Sequence, residues 1–137
     1  MKLMIDTNIL LDVLQKREPH YKHSSIIWKL CETKQVEGYV STLTFANIVY
    51  IMKQELSLEQ IEKVLNNLSL IFTFTDLTLS DLKNAASMKW KDFEDSIQSK
   101  TAERVEANYI ITRNLKDFIN SKVTAYSPEE FLLRFDF

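Results

Sequence analysis

Five short apolar runs divide the chain, at residues 2–5, 39–42, 70–75, 109–112 and 123–126. None alternates polar and apolar residues, so each reads as a strand covered on both faces. Helical patterns fill the intervals, at residues 8–15, 21–33, 44–54, 58–68, 79–89 and 94–107. In the first, Ile9, Leu10, Val13 and Leu14 share one face; in the fourth, Ile61, Leu65 and Leu68 do. A last helix at 128–135 opens with Ser127 as cap and Pro128 in its first turn, the positions those residues favour. Strand and helix in alternation predict right-handed crossovers, hence an α/β fold with a parallel sheet between two layers of helices. The 137 residues fit one domain, residues 1–137, with enough chain to bury a core unaided.

What the chain lacks narrows its chemistry. Gly38 is its only glycine, so neither a dinucleotide fingerprint nor a P-loop can be built, since both need bare backbone against phosphate. Two histidines, His20 and His23, and one cysteine, Cys31, make a four-ligand zinc site improbable. A lone cysteine forms no internal disulfide and fits a reducing compartment. The N-terminal apolar run is too short for a signal peptide, and no stretch reaches the roughly 18 apolar residues of a membrane helix. A cytoplasmic protein is expected. The net charge of −2 argues against gripping nucleic acid by bulk electrostatics and leaves local patches or bound cations. The 19 Asp and Glu residues remain for chemistry.

In open α/β sheets, ligands bind beyond the carboxyl ends of the strands. Asp6 is the first residue past the first strand, followed by Thr7 and Asn8. The fourth strand runs into Arg113-Asn114-Leu115-Lys116-Asp117-Phe118, and the helix before it opens with Asp92-Phe93-Glu94-Asp95. Each acid has an ordinary explanation. Asp6 and Asp92 can cap helices, at about 1 kcal/mol apiece, and Asn114 suits a turn. Two of the three junctions share one sheet edge, and the helix opening at Asp92 joins them if the preceding connection returns there; that coincidence of acids is what points to chemistry. Two carboxylates about 4 Å apart repel by about 4 kcal/mol at an effective dielectric of about 20. A hard, oxygen-seeking cation such as Mg²⁺ or Mn²⁺ would relieve that repulsion. It could also polarise a phosphodiester and activate a water.

At these residues the sequence resembles the PIN domain, the nuclease fold found in many bacterial toxins of toxin–antitoxin pairs. The resemblance rests on Met4-Ile5-Asp6-Thr7-Asn8-Ile9-Leu10-Leu11-Asp12-Val13-Leu14, Arg17-Glu18-Pro19 and Gly38-Tyr39-Val40-Ser41-Thr42. It continues through Asp92-Phe93-Glu94-Asp95-Ser96-Ile97-Gln98, Ile110-Ile111-Thr112-Arg113-Asn114-Leu115-Lys116-Asp117-Phe118 and Ser127-Pro128-Glu129-Glu130-Phe131. It implies five parallel strands in the order 3-2-1-4-5, and an endoribonuclease dependent on Mg²⁺ or Mn²⁺. Asp6, Asp95 and Asp117 match the family's acids, as catalytic and metal-binding residues, with Asn114 as a further ligand. Thr7, Asn8, Asn47, Asp92, Glu94 and Thr112 stand as supporting groups. The chain departs from the family at Asn47 and Asn114, where many members carry an acid. The cluster is then poorer by up to two negative charges, which leaves a second reading: a PIN fold that binds RNA or protein without cutting. A phosphoryl-transfer domain of receiver or haloacid-dehalogenase type is a third, but no second aspartate sits two residues after Asp6.

Among the basic residues flanking the acids, Arg113 and Lys116 are expected to touch RNA phosphate, since they share a loop with Asn114 and Asp117. Trp28 and Trp90 read as core or interface residues rather than stacking platforms. The helix at 44–54 is apolar on more than one face, from full burial or from a homodimer seam; the resemblance favours the homodimer and adds a cognate antitoxin as a partner. The aromatic tail after Phe131 either packs on the sheet or receives a partner segment.

Overall fold

The computed structural model describes residues 1–137. Its strands are β1 (Lys2–Ile5), β2 (Glu37–Ser41), β3 (Thr73–Thr75), β4 (Tyr109–Ile111) and β5 (Ala125–Tyr126). Its helices are α1 (Thr7–Leu14), α2 (Tyr21–Glu32), α3 (Thr42–Ile51), α4 (Leu58–Ile71), α5 (Leu79–Met88), α6 (Phe93–Arg104) and α7 (Pro128–Arg134), with a 3₁₀ turn at Leu115–Phe118. The sheet order is β3-β2-β1-β4-β5, and all four pairings are parallel. Met4 stands beside Tyr39 of β2 on one flank and Ile110 of β4 on the other.

The two faces of the sheet bury different cores. Leu3 and Ile5 of β1 point into the larger, with Val40, Ile111, Ile9, Leu10, Ile27, Ile48, Leu68 and Phe131. Met4 points the other way, with Ile110, Ala102, Phe118 and Val123. Successive residues of a strand face opposite sides, so β1 serves both cores, and between Lys2 at its start and Asp6 just past its end it carries only Leu3, Met4 and Ile5.

Element boundaries moved where capping and helix propagation outweighed strand propensity. Residues 70–71, read as strand, extend α4: a Ser57–Gln60 capping box fixes its start, and Leu70 lies exposed on its outer face. Helix α3 starts two residues early because Ser41 caps it through the Leu43 amide. Helix α6 stops at Arg104, and Glu106 then adopts a left-handed conformation with φ 58°. Helix α3 is not fully buried: Ile48 and Met52 reach the core, while Tyr50 and Ile51 remain 70% and 45% exposed. The tail packs on its own sheet edge. Phe131 is fully buried, and Phe135 stacks against Tyr109 at 5.3 Å and Phe131 at 4.8 Å.

Candidate active site

Asp6 follows β1 directly, in extended conformation, and caps α1. Its Oδ1 accepts from the Thr7 amide at 2.8 Å, and its Oδ2 accepts from the Thr112 hydroxyl at 2.8 Å. Two neighbouring strands thus fix one carboxylate, because β1 and β4 pair in parallel with Ile5 beside Ile111. Burial raises the Asp6 pKa; the Thr112 and Thr7 hydrogen bonds oppose the rise, and the charges of Asp92 and Glu94 add to it. The capping role is therefore real, but the carboxylate also sits in a negative field that capping does not need.

Helix α6 brings the second acid. Asp92 caps it, accepting from the Asp95 amide at 3.1 Å, and the Asp95 side chain turns inward, 5% exposed. Asp95 Oδ2 is buried and has no hydrogen-bond partner. Its pKa is pushed up to about 8, first by burial and then by the charges of Asp6, Asp92, Asp117 and Glu94. These five acids come from three segments distant in sequence and act on one another.

A cleft of about 320 Å³ opens over them, lined by Asp6, Thr7, Asn8, Asp92, Glu94, Asp95 and Asn114, with Asn47, Tyr50 and Ile51 from α3 closing one side. The Asn114 amide donates to the Thr112 hydroxyl at 3.1 Å, so Thr112 links this loop to Asp6. Asp117 lies in the 3₁₀ turn and lines an adjoining hollow with Lys116 and Asp92.

Arg113 is placed differently from its expected phosphate role. Its Nε and Nη2 make a two-pronged pair with the fully buried Asp12, at 3.0 and 2.9 Å. Arg113 lines a separate polar groove with His20 and His23. That groove is larger than the cleft, at about 420 Å³, but a single carboxylate, Glu129, lines it. The fork is used because Asp12 is one turn and a half beyond Asp6 on α1, facing inward, and needs a cation.

Several polar residues around the site carried no separate signal in the sequence. Thr7 donates to Thr44 at 3.1 Å, and Gln98 donates to the same hydroxyl at 2.9 Å. This chain ties the start of α1 to α3 and α6, and it sets Asp6 and Asp95 relative to each other. Asp12 also accepts from Ser24 at 2.8 Å. Polar residues inside helical patterns could have been flagged, but only the packing shows which of them meet.

The donor set fits a hard cation. Asp6 and Asp95 offer buried carboxylate oxygens, one of them unpartnered, and Asn47 and Asn114 offer amide carbonyls at the same cleft. No three Asp, Glu, His or Cys side chains converge closely enough to enclose an ion by themselves. Mg²⁺ asks for less, since it commonly takes one or two carboxylates and keeps several waters.

The sequence matches the family described as PIN domain over residues 2–116. The chain belongs to the PIN domain family. A search of curated proteins returned no match. Solved structures similar to this PIN domain include a toxin–antitoxin complex from Klebsiella pneumoniae, at 22% identity and TM-score 0.70, covering 92% of this chain and 97% of that one. VapBC-1 from nontypeable Haemophilus influenzae is similar at 17% identity and TM-score 0.71, covering 94% and 99%. VapC20 from Mycobacterium tuberculosis, described as a sarcin-ricin loop cleaving toxin, is similar at 10% identity and TM-score 0.64, covering 79% and 86%. At these identities the likeness is one of fold, and the five-stranded order found here is the one expected of a PIN domain.

Proposed function

We propose that this PIN domain is an endoribonuclease dependent on Mg²⁺ or Mn²⁺, and the toxin of a toxin–antitoxin pair. The observation that carries the reading is the buried, unpartnered Asp95 oxygen in the field of four other acids. A fold with no use for a cation would gain by neutralising or dispersing such a cluster. Asp6, Asp95 and Asn114, which line one cleft, would hold the ion, and Asp117 in the adjoining hollow would act on it through its charge. When bound, it would neutralise phosphate charge and lower the pKa of an attacking water.

The chain's own residues set the geometry of the reaction. Thr112 fixes the Asp6 carboxylate, and Asn114 hangs on the same hydroxyl. Asp92 holds the first turn of α6, which aims Asp95 into the cleft. Lys116, exposed beside Asp117, is placed to meet phosphate. Partly exposed Tyr50 and Ile51 continue the cleft wall onto the outer face of α3. That apolar face would carry a homodimer, and a cognate antitoxin would cover the cleft. One similar structure is a toxin–antitoxin complex and another a sarcin-ricin loop cleaving toxin, which supports the assignment. No helix is long and apolar enough to cross a membrane, in keeping with work on RNA in the cytoplasm.

The test is cleavage of a mixed RNA substrate. Activity should require Mg²⁺ or Mn²⁺, vanish with EDTA and fall by about a hundredfold or more in Asp6→Asn and Asp95→Asn. Cleavage that survives both chelation and Asp6→Asn removes the proposal.

A further inference from the structure

Beside the cleft lies a hollow of about 480 Å³ lined by Lys89, Trp90, Lys91, Lys116, Met88 and Ile119, with Asp92 and Asp117 on the side of the cleft. Asp92 lines both cavities, so a strand crossing the acids would continue into this hollow. Its volume lies within the roughly 300–1,000 Å³ of small-ligand sites. Its chemistry is divided. Trp90, Met88 and the 77%-exposed Ile119 supply an apolar surface, and three lysines supply positive charge. None of those lysines is held in an ion pair. Apolar ring and free cations together match a nucleotide, whose base is flat and whose phosphate is anionic.

Trp90 is held so that it can serve as a platform. It packs on the smaller core through Phe118, with ring centroids 5.9 Å apart and planes 87° to each other. A perpendicular neighbour covers at most one face of the indole, and Trp90 is half-buried rather than enclosed. Trp28 makes the corresponding T-shaped pair with Phe72 on the larger core, but it does not line this hollow. Anchoring by Phe118 stiffens Trp90, which reduces the ordering cost of stacking a base on it.

We propose that this hollow is a single-stranded RNA subsite, in which Trp90 stacks one base and Lys89, Lys91 and Lys116 hold the phosphates of the strand leading to the acids. The proposal rests on the ribonuclease reading and adds what that reading leaves open: how an acidic protein holds its polyanion, and whether the strand it takes is paired. A base in a duplex is stacked on its neighbours and cannot lie on the indole.

The test is anisotropy of a labelled single-stranded RNA 12-mer bound to the full chain in EDTA, where cleavage is off. Lys89→Gln/Lys91→Gln should weaken binding and lower the slope of log affinity against log salt by about 1.4, for two phosphate contacts. Trp90→Leu should weaken binding by about tenfold, with a smaller loss in Trp90→Phe, which keeps a ring against Phe118. RNA should quench tryptophan emission in the wild type and not in Trp90→Phe. Equal affinity for a duplex of the same sequence, or an unchanged salt slope in the lysine variant, overturns the subsite. Cleavage with unaltered KM in all these variants overturns it too and leaves the nuclease reading standing. The expected binding losses without cleavage under any metal keep the subsite and remove the nuclease reading.

Discussion

Asp95 shows how one side chain can carry opposite demands. The folded chain holds its proton up to about pH 8, whereas an unperturbed aspartate releases it near 3.8. Folding therefore takes up a proton between those values, and stability falls as pH rises through that window. Asp6, also shifted upward by burial, acts in the same direction. Melting temperature in EDTA should decline from about pH 5 to pH 8, and Asp95→Asn should flatten the decline. Mg²⁺ should raise the melting temperature more at pH 8 than at pH 5, since the cation competes with the proton. Melts in EDTA that rise over this range contradict the account. Asp81 behaves oppositely. Burial pushes its pKa up, but hydrogen bonds from Arg104 and Thr78 outweigh it and leave the pKa lowered. Its contribution is present at neutral pH and is lost on acidification. Asp12 is a structural acid: fully buried, it is held by Arg113 and Ser24. Asp12→Ala should cost about 3 kcal/mol or more, because it strands a mostly buried guanidinium; urea unfolding measures it.

Elements meet at a few close contacts. Gly38 in β2 is one. A Cβ there would lie 2.6 Å from Cys31 Sγ and 2.7 Å from Phe72 Cδ1, so β2 approaches α2 and the end of α4 only because that position has no side chain. Gly38→Ala should destabilise by about 1–3 kcal/mol through overpacking, read as a lower urea midpoint with an unchanged slope. The same packing buries Cys31, whose thiol is pushed up to about 12, so it should resist alkylation in the folded state. On the opposite face of the sheet, Arg104 of α6 reaches Asp81 of α5 at 3.0 Å and Thr75 of β3 at 3.2 Å. These bonds tie the helix that carries Asp95 to an edge strand. The asparagines are an element-level departure as well. Asn47 sits on α3 and Asn114 in the loop after β4, both lining the cleft with a neutral side chain. Asn114→Asp should tighten Mg²⁺ binding by about tenfold in calorimetry, adding a charged hydrogen-bonding ligand. An unchanged affinity would place Asn114 outside the ion's reach.

For the molecule as a whole, the sequence alone determined the class of fold and the strand ends at which acids fall. Runs apolar on both faces require a covered sheet, and helical patterns between them require parallel crossovers. Asp6 follows directly from that logic, because the end of β1 is local information. Boundaries were less legible: caps at Ser41 and Ser57 decide where helices start, and apolar residues such as Leu70 suit helix and strand alike. Only the tertiary structure decided which polar groups meet. Arg113 and Asp12 are far apart in sequence, as are Thr7, Thr44 and Gln98, and no local pattern encodes such pairings. It also decided that, of two tryptophans each packed on a core, Trp90 lines the hollow beside the acids. The physical reason is that strand and helix formation follow from near-neighbour periodicity, whereas the field at Asp95 is a sum over charges that only the folded chain brings together.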